Sequence, residues 1–219
     1  MGKLVVFEGI DGSGKSTQIK FLCDRFIQEK RDFLRISFPR YNEPSSALIK
    51  MYLGGAFGDD PDAVNAYAAS SFFAVDRFAS YIQEWRSYYE GGGLILTDRY
   101  TTSNAIHQGA KLAPDERGHF FKWLYEYEFR LMGLPAPDMV IYLDIDSKQA
   151  AKRLQRRQAE TGTDGDIHEK DPMYLECCSQ SGRQAAADCG WQIVDCFSEG
   201  RERSEEDIHM EIYTILKHV

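Results

Sequence analysis

One glycine-rich stretch near the start of the chain restricts its possible folds more than any other feature. Residues 9–16 match the pattern G-x-x-x-x-G-K-S, between an apolar run from Leu4 to Phe7 and a stretch with helical spacing. Such a run is typical of a strand that is buried on both faces of a parallel sheet. Glycines after the strand let backbone NH groups surround a phosphate at the N-terminus of the next helix. The sequence therefore predicts a phosphate-binding loop.

Two side chains of this loop have predicted roles of their own. We expect Lys15 to reach the β- and γ-phosphates of a nucleotide and the hydroxyl of Ser16 to be a ligand of Mg²⁺. A nucleotide and Mg²⁺ are thus the predicted ligands of this loop. The residues expected to bind the nucleotide are Gly9, Gly12, Ser13, Gly14, Lys15, Ser16 and Thr17.

Apolar runs alternate with amphipathic stretches along the rest of the chain. Five strand-like runs are separated by helical patterns, with no internal repeat or low-complexity linker. This order predicts an α/β fold of the P-loop NTPase type, a five-stranded parallel sheet doubly wound by helices, as a single domain over residues 1–219. A long helix is predicted over about 63–89. Its spacing indicates that seven of its residues mostly face the core, namely Tyr67, Ser71, Phe72, Ala74, Val75, Phe78 and Ile82.

Two of the predicted strands end in an aspartate that could accompany the magnesium ion. Asp98 follows the third strand and Asp144 follows the fourth. Periodicity alone fits both residues equally well. The neighbouring Arg99 favours Asp98, because phosphoryl transfer needs a carboxylate for the metal beside a cation for the transferring group.

A basic stretch precedes a turn rich in glycine and acidic residues. Lys152, Arg153, Arg156 and Arg157 lie within six positions, and the turn covers residues 161–166. This pattern is typical of a short mobile lid that closes over phosphates, here over about residues 151–171. A solvated basic face is an equally good interpretation of the composition alone.

Charge and cysteine content exclude several classes of protein. The net charge of −8 and the pI near 5.2 argue against nucleic-acid or anionic-membrane binding, which requires a broad basic face. The five cysteines form no C-x-x-C pair, as expected for reduced thiols of a cytoplasmic protein. The first strand begins almost at once, so we expect no signal peptide, and no apolar run approaches the length of a membrane span.

Several separate motifs together resemble the thymidylate kinase family. They occur in the family's order and extend over nearly the whole chain, which is far more specific than the phosphate loop alone. The motifs are Phe7–Gln18, Phe38-Pro39-Arg40, Phe73 with Arg77, Thr97–Tyr100, Ser103-Asn104, Gly109–Lys111, Gly133–Asp138 and Ala151–Arg153.

The resemblance implies an enzyme that transfers a phosphoryl group from ATP to dTMP, giving dTDP and ADP for dTTP synthesis. It also implies a homodimer that is packed through helices. Two alternatives stay open at this point. One is a kinase for another nucleoside monophosphate or for a deoxynucleoside, and the other is a nucleotide-binding domain without catalysis.

The resemblance also implies the residues of the acceptor site. Phe73 is similar to the ring that stacks on thymine, and Arg77 to the guanidinium that bonds the keto oxygen of the base. Asn104, with Ser103 beside it, matches the position that reads the NH group of the ring.

Further acceptor contacts follow from the same resemblance. Asp11 looks like the carboxylate directed at the sugar and phosphate, and Arg99 and Arg40 look like phosphate clamps, with Phe38 close to Arg40 in the same motif. His107 departs from the family, whose members usually carry a tyrosine or phenylalanine that crowds out a ribose 2′-hydroxyl.

The source of the catalytic arginines places the chain within the family. In the eukaryotic type the loop residue after the aspartate is an arginine, whereas here it is Gly12. The chain resembles the bacterial type, whose lid supplies arginines, and Arg153, Arg156 and Arg157 are the candidates. The expected catalytic residues are Lys15, Arg99, Asp11, Arg153 and Arg156.

Overall fold

A five-stranded parallel sheet forms the centre of the protein. The computed structural model describes residues 1–161, 172–198 and 200–217, without the side chains at 157, 161 and 172. The strand order is β2-β3-β1-β4-β5. Every pair is parallel, which confirms the predicted five-stranded parallel sheet. The strands are β1 Lys3–Glu8, β2 Leu34–Ser37, β3 Leu94–Asp98, β4 Met139–Asp144 and β5 Gln192–Asp195.

Helices connect the strands and flank the sheet. The helices are α1 Lys15–Gln28, α2 Ala47–Leu53, α3 Ala66–Ser80, α4 Arg86–Glu90, α5 Thr101–His107, α6 Pro114–Tyr125, α7 Ser147–Thr161, α8 Pro172–Cys189 and α9 Glu205–Leu216. A π-helical turn, Tyr81–Trp85, joins α3 to α4, and a second one, Glu126–Leu131, extends α6. Two short strands, β6 Phe197–Ser198 and β7 Arg201–Glu202, form an antiparallel hairpin.

The helices fall into two groups that pack among themselves. One group contains α1 and α9, and the other contains α5, α6 and α8. Between them, the apolar residues of β1 are fully buried from Leu4 to Phe7. Because β1 pairs with both β3 and β4, the carboxyl ends of these three strands lie side by side. In parallel α/β sheets this edge is where ligands bind.

The outward face of α3 differs from the sequence-based expectation. Tyr67, Val75, Phe78 and Ile82 are between 39% and 49% exposed, so the prediction that they mostly face the core was wrong for these four. Of the other three residues predicted to face the core, Ala74 is buried and Ser71 and Phe72 are partly buried. The small residues Ala66 and Ala69 of the same helix are also buried. Periodicity reports that apolar residues share a stripe, but it does not report which surface covers that stripe.

Among the described residues, no helix combines the length and the apolar character that crossing a membrane requires.

Candidate active site

A cleft of about 680 Å³ opens at the carboxyl edge of the sheet. The phosphate loop forms one wall, and residues from the ends of β2 and β3 and from α3, α5 and α7 form the others. The structure brings most of the predicted site residues to this cleft. Those that line it are Asp11, Gly12, Gly14, Lys15, Ser16, Thr17, Phe38, Phe73, Arg77, Asp98, Arg99, Ser103, Asn104, His107, Arg153 and Arg156.

Glycines shape the phosphate loop at two points where no side chain fits. Gly9 and Gly12 have φ values of 147° and 83°, in the region that L-residues with side chains avoid. A Cβ atom on Gly9 would lie 2.6 Å from Oγ of Ser13, and one on Gly12 would lie 2.5 Å from the carbonyl oxygen of Ala150. Gly9 and Ser13 are not among the described residues that line the cleft, so their contact with a nucleotide stays a prediction.

Lys15 is folded into the phosphate loop. Its Nζ donates to the carbonyl oxygens of Gly9 at 2.7 Å and Ile10 at 3.0 Å, and the residue is only 6% exposed. Burial, and secondarily the positive charge of Arg99, lowers the pKa of Lys15 to about 8. An anion in the loop would counter both effects.

The hydroxyl of Ser16 and the carboxylate of Asp98 meet at the floor of the cleft. Ser16 Oγ donates to Oδ2 of Asp98 at 3.2 Å. Both oxygens of the competing carboxylate, Asp144, instead share the single N–H of Nε of Arg183, each at 2.9 Å. Two adjacent oxygen ligands fit Mg²⁺, which takes few ligands from the protein and the rest from phosphates and water.

Arg99 links two other predicted residues across the cleft. It has a φ of 67°, donates through Nη2 to the carboxylate of Asp11, and contacts Nε2 of His107 through Nη1 at 2.7 Å. Burial opposes the charged form, but carboxylates led by Asp11 outweigh it and raise the pKa of Arg99. Because Arg99 only donates, Nε2 of His107 accepts, and the ring proton lies on Nδ1, 3.6 Å from Sγ of Cys178.

A fully buried carboxylate supports this region from beneath. Glu8, at the end of β1, accepts hydrogen bonds from the backbone N of Tyr100 at 3.2 Å and from the hydroxyls of Thr102 and Ser103 at 2.7 and 2.8 Å. Burial raises the pKa of Glu8. Glu8 therefore fixes the hydroxyl of Ser103, the residue that precedes Asn104.

The far end of the cleft contains an ion pair that the sequence did not reveal. Arg77 donates through Nε and Nη2 to Glu128 at 2.7 and 2.5 Å, and neither residue is more than 1% exposed. Thr101 Oγ1 donates to the same carboxylate at 2.7 Å, and Asn104 Nδ2 lies 3.5 Å from it. Since Glu128 is 51 positions from Arg77, no local pattern could have indicated the pair.

Gln108 is a second residue that sequence reasoning missed. It lines the cleft and is 1% exposed, yet neither atom of its side-chain amide has a hydrogen-bond partner among the described residues. Buried amides are almost always paired, so this one is placed to bind a ligand.

Phe73, which also lines the cleft, is partly buried and packs edge to face with Tyr52, with ring centroids 6.4 Å apart.

Arg40 is not among the described residues that line the cleft. Its guanidinium donates to Asp76 at 3.2 Å, to Ser45 at 3.0 Å and to Glu84. The structure therefore places it behind the acceptor side, in a network with α3 and the turn that follows it.

The predicted lid arginines occupy different environments on α7. Arg153 donates through Nη1 to the carbonyl oxygens of Gly12 and Ser13, at 3.2 and 3.3 Å, and through Nη2 to Glu202 of β7. Arg156 is largely exposed, and its Nε lies 3.9 Å from Oε1 of Glu160. The side chain of Arg157 and the rest of the predicted lid, residues 162–171, lie outside the described residues.

Comparisons with known proteins agree on one family. The family model described as thymidylate kinase matches residues 7–212. A thymidylate kinase of Mycobacterium tuberculosis (strain CDC 1551 / Oshkosh) is 33% identical over 190 residues, which cover 86% of this chain and 87% of that protein. One from Dictyostelium discoideum is 29% identical over 98% of this chain and 84% of its own length.

A solved structure shares the fold. The thymidylate kinase of Candida albicans superimposes with a TM-score of 0.73, at 22% identity, over 99% of this chain and 92% of its own. At this level of identity the likeness supports the fold, and the family rests on the sequence matches.

Proposed function

Because the chain belongs to the thymidylate kinase family, we propose that it transfers the γ-phosphoryl group of ATP to the 5′-phosphate of dTMP, giving dTDP and ADP. The observation that carries the proposal is that one cleft is lined both by the phosphate loop and by Arg77 and Asn104. A donor nucleotide and an acceptor nucleotide can therefore share this cleft.

The acceptor occupies the end of the cleft near α3 and α5. Phe73 supplies an aromatic plane for the base, while Arg77 and Asn104 meet its polar edge. Asp11 and Arg99, which are already paired, lie where the sugar and 5′-phosphate approach the donor. His107 contacts Arg99 in the free protein, so it contributes to the position of that guanidinium.

The donor occupies the phosphate loop. The transition state of phosphoryl transfer is loose, so positioned cations contribute more than covalent chemistry does. Lys15 and Arg99 supply two of these charges, and Arg153 and Arg156 supply others from α7, on the side of the loop where Gly12 leaves no side chain. Ser16 and Asp98 would hold Mg²⁺, which neutralises charge on the β- and γ-phosphates.

Two further proposals concern the surroundings of the enzyme. The exposed apolar stripe of α3 supports a homodimer, because monomeric proteins rarely leave so many large apolar side chains of one helix in water. The five unpaired cysteines support a cytoplasmic location, because the cytoplasm keeps thiols reduced.

A coupled assay of ADP release tests the proposed function directly. The acceptors to compare are dTMP, dUMP, dCMP, dGMP, UMP and thymidine. We expect the highest kcat/KM with dTMP and loss of nearly all turnover in Lys15→Ala. Turnover of thymidine alone would favour a nucleoside kinase, and ATP binding without any acceptor would favour a catalytically idle domain.

A further inference from the structure

Glu128 is a buried carboxylate with an unusual position in the chain. It lies in the π-helical turn Glu126–Leu131, between two aromatic residues, and is fully buried. Turns of this type are frequent at functional sites. A buried carboxylate is costly unless charged or polar groups satisfy it, and here Arg77, Thr101 and Asn104 converge on it.

The carboxylate fixes which nitrogen of Arg77 is available to a ligand. Glu128 engages Nε and Nη2, at 2.7 and 2.5 Å. The remaining terminal nitrogen, Nη1, has one long contact in the described part of the chain, 3.4 Å to the carbonyl oxygen of Tyr100. Since Nη1 carries two N–H groups, at least one of them is left to donate into the cleft.

The same carboxylate fixes the orientation of the Asn104 amide. The hydrogen-bond acceptors of its Nδ2 among the described residues are Oε1 of Glu128 at 3.5 Å and the carbonyl oxygen of Ser70 at 3.3 Å. Both of these groups only accept hydrogen bonds, so the NH₂ group of the amide must face them. The oxygen Oδ1 then faces the other way and acts as an acceptor, in a residue that lines the cleft.

We propose that Glu128 is a positioning residue that sets the base preference of the acceptor site. The inference rests on the proposed function, and it assigns the cause of selectivity within that same site. Glu128 holds Arg77 as a donor and Asn104 as an acceptor, side by side. A pyrimidine with a keto oxygen next to a ring N–H complements this pair, whereas cytosine presents an amino donor and a ring acceptor and opposes both groups.

The test is the substitution Glu128→Gln, which keeps shape and removes the charge. The new amide would keep one acceptor oxygen for Arg77. Its NH₂ group would face hydrogen-bond donors that the carboxylate now accepts from, so the side-chain amide of Asn104 would be free to turn over and exchange its oxygen and nitrogen. We expect KM for dTMP to rise, and the ratio of kcat/KM for dTMP over dCMP to fall, each by at least about tenfold. KM for ATP should change less than about twofold, because ATP binds at the other end of the cleft.

A matched control lies in the same turn. Glu126 pairs with Arg130 on the surface, where both side chains are exposed. Glu126→Gln therefore makes the same chemical change two positions away, and it should leave both KM values and the acceptor ratio unchanged. A merely structural role for Glu128 would lower the active fraction and kcat but leave KM for dTMP and the ratio at wild-type values, and that result would overturn the proposal.

A milder variant keeps the test decisive if Glu128→Gln does not fold. Thr101→Val removes one hydrogen bond to the carboxylate at similar volume. It should lower the ratio of kcat/KM for dTMP over dCMP by about threefold, as expected for the loss of one hydrogen bond. An unchanged ratio would refute the proposal. Calorimetric Kd values for dTMP and dCMP give the same comparison without turnover. A wild-type protein that does not phosphorylate dTMP contradicts the proposed function, whereas an unmoved ratio contradicts only the role of Glu128.

Discussion

The guanidinium of Arg153 lies against the phosphate loop, with Nη1 3.2 Å from the carbonyl oxygen of Gly12. Its other terminal nitrogen pairs with Glu202 of the β6–β7 hairpin. In the proposed mechanism the donor phosphates bind in this loop, so Arg153 already lies beside their position and would contribute charge to the reaction with little movement.

We expect Arg153→Ala to slow catalysis without weakening the fold. Positioned arginines stabilise transferring phosphoryl groups strongly, so kcat should fall at least about tenfold, equivalent to about 1.4 kcal/mol of barrier. The pair with Glu202 is partly solvated and contributes at most about 1 kcal/mol to stability, so the melting temperature should barely change. The same direction is expected for Arg156→Ala.

Steady-state kinetics and thermal denaturation of the same samples measure both effects. Arg130→Ala, which removes an equally long side chain from an exposed surface pair, is the control. Wild-type kcat in both α7 variants would mean that the basic stretch is only a solvated face.

The lowered pKa of Lys15, about 8, predicts proton uptake when ATP binds. The free enzyme has lost much of the charge on Lys15 by pH 9, and the nucleotide phosphates favour the charged form and so raise this pKa. Binding then takes up as much as about 0.9 proton near pH 9 but only about 0.1 near pH 7. The affinity for ATP should accordingly fall as the pH rises above 8.

Titration calorimetry in two buffers with different enthalpies of ionisation measures this uptake. The value at pH 7 is the internal control, because Lys15 is already protonated there. Equal proton uptake at the two pH values would show that Lys15 does not titrate as proposed.

Two glycine-to-alanine substitutions should change stability in opposite directions. A Cβ atom on Gly182 of α8 would lie 2.4 Å from Oη of the buried Tyr142, so Gly182→Ala should lower the free energy of unfolding by about 1–3 kcal/mol. No described atom lies within 4 Å of the corresponding position on Gly118 of α6, and Gly118→Ala should raise it by about 0.5–1 kcal/mol. Urea denaturation gives both values, and equal shifts of the same sign would contradict the packing described for α8.

The apolar stripe of α3 predicts that a charge there disrupts the homodimer. Val75 is 49% exposed, so Val75→Glu should be tolerated by the monomer fold but not by an interface that buries this position. Light scattering should give twice the chain mass of 25.0 kDa for the wild type and a single chain mass for the variant. Met210→Glu, at a 52% exposed position on α9, is the control. A monomeric wild type at micromolar concentration would refute the dimer.

The succession of strands and helices along the chain and the phosphate loop could be predicted because both depend on local sequence patterns. An apolar run of four residues before a glycine-rich turn defines β1 and its loop, and the alternation of strand and helix patterns leaves few other sheets. The sequence interpretation did not identify α8 or the β6–β7 hairpin. Two-residue strands such as β6 and β7 are too short to show any period.

The partners of the site residues could not be predicted for a different reason. The ion pair between Arg77 and Glu128 and the contact between Arg153 and Glu202 each join residues about 50 positions apart. Such contacts depend on how helices pack, which residue spacing does not report. The family motifs include Arg77 and Asn104, so the resemblance identified both residues. The carboxylate of Glu128, which contacts both of them, belongs to none of these motifs.

Gly12 lies so close to α7 that its position in the phosphate loop has no room for a side chain such as that of arginine. A side chain at Gly12 would meet the backbone of Ala150, one turn before Arg153 on the same helix. An arginine could therefore not be transferred from α7 to the loop by a single substitution, because the helix would have to move first. The absence of a side chain at position 12 and the present position of α7 thus depend on each other, and an arginine in the loop would need a backbone in which α7 is displaced.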